Sequence, residues 1–195
     1  MTSLRAVFLD RDGVINALYV DPLTGQPESP LSVADVMLKE GVCREILRLR
    51  DVGYLLVGVT NQPSAAKGRV SLELQEAIHA RVLDLLKTCG VILDTWKICP
   101  HHPEGTVKEL AVVCTCRKPK PGMLLDAAAE LGIDIASSWM IGDSDSDVEA
   151  GSAAGTRTAL IGVRESHKRS LSLSATVTCE SLEAAVDAII LDRNA

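Results

Sequence analysis

The chain has 195 residues, 47% hydrophobic but only 3% aromatic, and 20 Lys and Arg against 26 Asp and Glu give a net charge of -6. That length allows one domain with a real core and no staples, and the aliphatic bias suits parallel strands covered by helices better than a β-sandwich. The acidic balance excludes a general basic surface for nucleic acid, and no apolar run is long enough to span a bilayer.

The first core strand starts near Arg5, which leaves no room for a signal peptide and makes the cytoplasm the expected compartment. In that reducing setting six cysteines read as metal ligands or free thiols rather than a disulfide framework. Residues 6–9 are a short apolar run ending in Asp10, Arg11, Asp12 and Gly13. As a buried strand, the run presents a carboxylate nucleophile at its carboxyl end, with a second carboxylate nearby for proton transfer. As an ordinary strand it simply meets an Asp-Gly turn, and on this stretch alone the two readings weigh equally. Residues 21–32, with Pro22, Pro27 and Pro30, form a long irregular excursion of the kind that often carries function.

Val42, Ile46 and Leu49 are spaced for one face of a first helix. Residues 54–59 read as a second strand, delivering Thr60, Asn61 and Gln62 at its carboxyl end. A hydroxyl and two amides there suit the oxygens of a phosphoryl group, although alone an ordinary polar loop is the better reading. Leu74, Ile78, Val82, Leu85 and Leu86 mark a second helix, and 96–99 a third strand.

A second irregular stretch, 100–121, is bracketed by Cys99, His101 and His102 on one side and by Cys114 and Cys116 on the other. Three thiols and one imidazole can close a tetrahedral Zn²⁺ site; the plainer reading is reduced cysteines beside unrelated histidines. With no apolar core inside the loop, a structural zinc held by all four residues would supply its order. Arg117, Lys118, Pro119 and Lys120 then join cations to a stiff backbone ahead of a helix over 123–131, or else form a solvated basic turn.

Residues 139–141 are a strand ending in Gly142, Asp143, Ser144, Asp145, Ser146 and Asp147, before a small-residue helix over 147–154. Asp143 would complete an oxygen-rich Mg²⁺ site with Asp10. Asp147 would cap the helix or hold Lys118, and Asp145 or Ser146 has the plainer capping role. A strand over 158–161, a short one over 175–177 and a Ser181-capped helix through Leu182, Ala185, Val186 and Ile189 complete the alternation. Continuous apolar strands alternating with helices predict an α/β fold, a doubly wound parallel sheet with every strand buried on both faces.

In order and chemistry, Asp10 to Gly13, Thr60 with Asn61, Lys118, and Gly142, Asp143 with Asp147 resemble the motifs of the haloacid dehalogenase (HAD) superfamily of aspartyl-phosphate phosphatases, across residues 6–154. The resemblance implies a Rossmann-like fold in which Asp10 attacks phosphorus and Asp12 serves as acid and then base. Mg²⁺ would be held by the Asp10 carboxylate, the Asp12 main-chain carbonyl and Asp143, while Lys118 and Thr60 stabilise the transferring oxygens. The run Cys99, Pro100, His101, His102, Pro103, with Cys114, Thr115, Cys116, Arg117, Lys118, is similar to the zinc-containing group of D-glycero-D-manno-heptose 1,7-bisphosphate and histidinol-phosphate phosphatases, and makes His101 the imidazole ligand. The residues through 121–125 and the spacing from His101 to Cys114 look more like the heptose branch. That branch implies removal of the 7-phosphate of a small sugar bisphosphate, with Arg117 gripping the retained phosphate and Asn61 and Lys67 as further substrate contacts.

One domain over 1–195 is expected, with a zinc loop at 99–116 and, given the short intervals after the first two motifs, no large cap. Two departures bear on substrate and anomer. Pro63, Ser64, Ala65, Ala66, Lys67 and Gly68 replace a serine-glycine-isoleucine-alanine-arginine-glycine type of run, and Ser144 stands where relatives often carry lysine. Histidinol phosphate is the alternative substrate, suited by acids such as Asp21 or Glu28 at the mouth; a silent binding protein of the same fold is the other reading. Cys43, Cys89 and Cys179 read as incidental thiols, His79, Trp96 and Trp139 as structural, and His167 as part of a solvated loop. A monomer is expected.

Overall fold

The computed structural model describes residues 4–21, 25–162 and 174–193, so Pro22 and the 165–170 loop with His167 lie outside the described residues. Strand β1 (Ala6–Leu9) is fully buried and sends successive side chains to opposite faces: Val7 and Leu9 into one core, Ala6 and Phe8 into another. The proline-rich excursion that follows is a small antiparallel hairpin, β2 (Tyr19–Val20) with β3 (Pro27–Glu28), and a 3₁₀ turn at Val33–Asp35. The other strands are β4 (Leu55–Asn61), β5 (Thr95–Cys99), β6 (Trp139–Gly142), β7 (Arg157–Ile161) and β8 (Val177–Cys179). They join β1 in a parallel sheet of order β5-β4-β1-β6-β7-β8.

Five helices are described: α1 (Val42–Asp51), α2 (Leu72–Thr88), α3 (Gly122–Leu131), α4 (Asp145–Ala154) and α5 (Leu182–Arg193). Helices α1, α2 and α5 pack on the Val7 and Leu9 face through Ile46, Leu49, Ile78, Val82, Leu86, Val186 and Ile189; α3 and α4 cover the other face through Met123, Leu124, Ala127 and Ala150. Each of the valine, leucine, isoleucine and methionine side chains contributes about 1.5–3 kcal/mol on burial. None of the described helices is long and apolar enough to cross a membrane.

The predicted alternation stands, with local corrections. Strand β4 continues through Thr60 and Asn61, because these residues pair with Ile98 and Cys99 of β5. The outermost strands are not buried on both faces: in β5 only Cys99 is buried, and Ile98 is 37% exposed, since among the described residues no strand pairs beyond β5. The last strand lies at 177–179 rather than 175–177. Helix α4 starts at Asp145 and is capped by Ser144, not by Asp145 or Ser146. Cys43 and Cys89 are joined as a disulfide, with Cα atoms 6.2 Å apart, which corrects their reading as incidental thiols. They lie 46 positions apart in sequence and meet because α1 and α2 pack on one face. Cys179 is a free, half-buried thiol.

From β1 the chain builds outward through β4 to β5, then returns to the other side of β1 at β6. This reversal opens a crevice at the carboxyl ends of β1 and β6, where open α/β sheets bind ligands.

Candidate active site

Asp10 leaves β1 with its N–H donated to the Ile141 carbonyl of β6 (3.0 Å), which fixes its position at the crevice. Its Oδ1 accepts from Lys118 Nζ (2.8 Å) and from the Arg11 N–H (2.7 Å). Lys118 is 3% exposed, and its ammonium also meets Asp147 Oδ1 (2.6 Å) and donates to the Val59 carbonyl (2.8 Å). Burial opposes its charge, but the two carboxylates outweigh burial and hold its pKa above the ordinary lysine value. Burial pushes Asp10 up to about 7; Lys118 pulls it down, and Asp147, Asp143 and Asp12 add to the rise.

Asp147 therefore does both things expected of it. Its Oδ2 accepts from the Ser144 N–H (3.1 Å) and Oγ (2.7 Å), closing the capping box of α4, while Oδ1 faces Lys118. Gly142 makes this approach possible, since a Cβ there would lie 2.1 Å from Asp147 Cβ. Gly13, at φ 88°, does the same for Asp143, whose Oδ2 would be 2.1 Å from an added Cβ. Oxygens of Asp10, Asp143 and Asp147 lie within 4.8 Å of one another, a donor set suited to a hard divalent cation. Within this set, Asp147 is engaged by Lys118 and Ser144, and Asp10 by Lys118.

Asp12 sits in the opposite environment. Its Oδ1 accepts from Arg11 Nε (3.1 Å) and Asn16 Nδ2 (2.8 Å), and its Oδ2 from Arg11 Nη2 (3.2 Å), Gln62 Nε2 (2.6 Å) and Ser29 Oγ (2.8 Å). Burial would raise its pKa, but the Arg11 guanidinium and the donors Gln62, Asn16 and Ser29 hold it below the usual carboxylate range. Sequence reasoning missed Asn16 and Ser29 as site residues, and it read Gln62 as a group for phosphoryl oxygens, whereas the Gln62 amide donates to Asp12 and Thr60. Asn16 carried a faint signal, an amide directly after Val14 and Ile15 that turns out fully buried; Ser29 carried none.

A cleft of about 360 Å³ above these groups brings together Thr60, Asn61, Lys67, Arg117, Lys118 and Asp143. Thr60 accepts from Gln62 Nε2 (2.9 Å). Asn61 clamps the Lys118 main chain at both ends, donating to its carbonyl and accepting its N–H, each at 3.0 Å. Arg117 donates to the His101 carbonyl (3.1 Å). Glu28 also lines the cleft but is paired with Arg69 (3.3 Å), which also binds Asp21 (3.0 Å).

Beside the cleft, Cys99, His101, Cys114 and Cys116 converge on one point. Cys99 Sγ is 3.6 Å from Cys114 Sγ and 3.7 Å from His101 Nδ1, and Cys116 Sγ is 3.5 Å from the same nitrogen. His102 is outside the cluster, its Nδ1 accepting from the Glu104 N–H. The loop is docked on the turn after β4, where Thr106 and Val107 donate to the Ala66 carbonyl (2.8 and 3.1 Å).

A carboxylate at the switch point of a parallel sheet, a lysine bridging it to a second acid, and a cluster of acids that could hold a cation together match a phosphatase of the HAD type. A HAD-hydrolase-like family model matches residues 115–185. The chain is 43% identical over 150 residues to the D-glycero-beta-D-manno-heptose-1,7-bisphosphate 7-phosphatase of Rhodopseudomonas palustris, covering 77% of this chain and 79% of that one. It is 38% identical over 161 residues to the enzyme of the same name from Escherichia coli K12, covering 82% and 79%. The crystal structure of D,D-heptose 1,7-bisphosphate phosphatase from B. bronchiseptica, complexed with magnesium and phosphate, superposes with a TM-score of 0.78 at 28% identity, covering 97% of this chain and 99% of that one. The chain belongs to the heptose 1,7-bisphosphate 7-phosphatase family.

Proposed function

We propose that this chain is a Mg²⁺-dependent phosphatase that removes the 7-phosphate of D-glycero-β-D-manno-heptose 1,7-bisphosphate through an aspartyl phosphate on Asp10. The observation that carries this reading is the Asp10, Lys118, Asp147 network beside Asp143, opening into a cleft that is also lined by the cations Lys67 and Arg117. The names of the relatives support the β anomer, which the sequence left open.

Asp10 attacks phosphorus, the bond to the sugar oxygen breaks, and Asp12 protonates that oxygen as it leaves. Asp12 then takes a proton from the water that attacks the aspartyl phosphate, releasing inorganic phosphate and restoring Asp10. Lys118 and Thr60 stabilise the equatorial oxygens as charge redistributes. The Asp10 carboxylate, the Asp12 carbonyl and Asp143 would hold Mg²⁺, which when bound would supply positive charge to offset the repulsion between carboxylate and phosphate. Lys67 and Arg117 grip the phosphate that remains.

The Cys99, His101, Cys114, Cys116 cluster holds zinc in this reading. Bond lengths of about 2.3 Å to sulfur and about 2.0 Å to nitrogen give tetrahedron edges of about 3.8 and 3.5 Å, close to the 3.5–3.7 Å separations present. All four positions are filled by protein, so the role is structural.

Histidinol phosphate would need a free acid at the mouth for its amine, but Glu28 is neutralised by Arg69. That favours a second phosphate over an amine. The test is phosphate release with Mg²⁺ from the α and β heptose bisphosphates beside histidinol phosphate, with Asp10→Asn as the inert control. A kcat/KM for the β anomer higher by two or more powers of ten is the expected result. Equal weak activity on all three would remove the substrate assignment.

A further inference from the structure

Asp12 is held on one side by the body of the fold, through Arg11, Asn16 and Gln62, and on the other by Ser29. Ser29 directly follows β3 and, among the described residues, is the only donor to Asp12 that comes from the β2–β3 excursion. It also lines the cleft, next to Glu28. The hairpin forms a two-stranded sheet of its own, outside the parallel sheet. Its tie to the turn after β4 is Arg69, which binds Asp21 at one end of the hairpin and Glu28 at the other.

We propose that Ser29 is a positioning residue for Asp12, and that Arg69 sets its reach by anchoring both ends of the hairpin. The inference rests on the reading of Asp12 as the group that protonates the leaving oxygen. General acid catalysis needs the carboxyl in one orientation at hydrogen-bond distance from that oxygen, and a carboxylate free to rotate about its side-chain bonds spends time in unproductive ones. Arg11 and Asn16 fix Oδ1. Oδ2 takes Arg11 Nη2 and Gln62 from the body and Ser29 from the cleft side, so loss of the Ser29 hydroxyl removes the tie on the face where the leaving oxygen arrives. The step stays balanced: the Asp10 oxygen bonds to phosphorus, the phosphorus–oxygen bond to the leaving group breaks, and the Asp12 proton passes to the departing oxygen.

A misplaced acid has a signature that a weakened binding site lacks. A leaving group that is stable as an anion departs without a proton, whereas a basic one does not, so the loss grows with leaving-group basicity. The experiment measures kcat/KM for 2,4-dinitrophenyl, 4-nitrophenyl and phenyl phosphates in the full-length chain, wild type and Ser29→Ala, Ser29→Thr, Arg69→Ala and Asp12→Asn. General acid catalysis is worth about 10²–10⁴-fold. Partial loss of positioning is therefore expected to cost phenyl phosphate about tenfold in Ser29→Ala and Arg69→Ala, and to cost the dinitrophenyl ester less than about twofold. Ser29→Thr, which keeps the hydroxyl, restores the wild-type slope. If Asp12→Asn steepens the dependence but Ser29→Ala lowers all three esters equally, or lowers none, the Ser29 role is overturned. If Asp12→Asn itself shows no dependence on the leaving group, the acid assignment falls and the Ser29 role falls with it.

Discussion

Asp10 and Asp12 are two residues apart in sequence, yet their environments drive their protonation in opposite directions. Burial lifts Asp10 to about 7, whereas the Arg11 guanidinium and three uncharged donors hold Asp12 low. Both shifts run against the roles assigned to them, and the charges of the reaction correct both. A divalent cation at Asp10 and Asp143 favours the Asp10 carboxylate, and a phosphate dianion near Asp12 favours its protonated form. Lys118 is the fixed charge of the site, and Asp147 holds it from behind. Replacing Asp147 with Asn takes away one of its two buried counter-charges. Breaking such a pair costs about 3–5 kcal/mol, and a displaced Lys118 is expected to lower kcat by about 10²–10³-fold. Urea denaturation and phosphate release measure the two losses; an unchanged unfolding midpoint would mean that Lys118 does not depend on Asp147. The residue types of this constellation were legible in the sequence because the chemistry demands acids and a lysine at strand ends. Asn16 and Ser29 were not, nor was the hold of Gln62 on Asp12, because the role of an amide or hydroxyl in a loop depends on a partner that the sequence does not name.

At the scale of elements, α2 shows how packing sets chemistry away from the cleft. His79 meets Trp96 of β5 edge-on, with centroids 4.8 Å apart. Burial, and then the nearby Arg11 charge, lower its pKa to about 4 against a small opposing effect of Asp12. Because the folded value lies below the ordinary 6.5, the unfolded chain binds the extra proton. His79 therefore contributes stability that is present above about pH 6.5 and is lost as the pH falls towards 4. Urea titrations at pH 7.5, 6 and 5 are expected to give a shallower decline for His79→Leu than for wild type. Parallel declines would mean that the imidazole is solvated. The sequence identified α2 by its 3.6-residue period and His79 as structural. It said nothing of the Cys43–Cys89 link, because period and composition carry no information on which helices share a face of the sheet.

Across the whole molecule, the loop from β5 to α3 joins the cysteine cluster to the cations of the cleft, Arg117 and Lys118. Cys99 ends β5 opposite Asn61, Asn61 clamps Lys118, and Arg117 is held by the His101 carbonyl. An ion held in the cluster would thus set the position of Arg117 and Lys118 without touching substrate. Stripping it with a strong chelator, followed by restoration of Mg²⁺ alone, is expected to lower the melting temperature and to cost about tenfold or more in kcat/KM, in the range of lost metal support. Metal analysis should find about one zinc per chain before treatment, as one closed four-ligand site requires. Full activity in the metal-free protein would separate the loop from catalysis.

The alternation of apolar strands with amphipathic helices, and the acids placed where strands stop, determined the doubly wound sheet and the phosphoryl-transfer chemistry. Those features are local: side-chain period and residue type act over a few neighbouring positions. The tertiary structure alone decided that Asp147 serves Lys118, that Ser29 and Gln62 hold Asp12, that Arg69 neutralises Glu28 at the mouth, and that Cys43 meets Cys89. Hydrogen bonds and ion pairs depend on separations of about 3 Å in space, and the sequence records only distance along the chain.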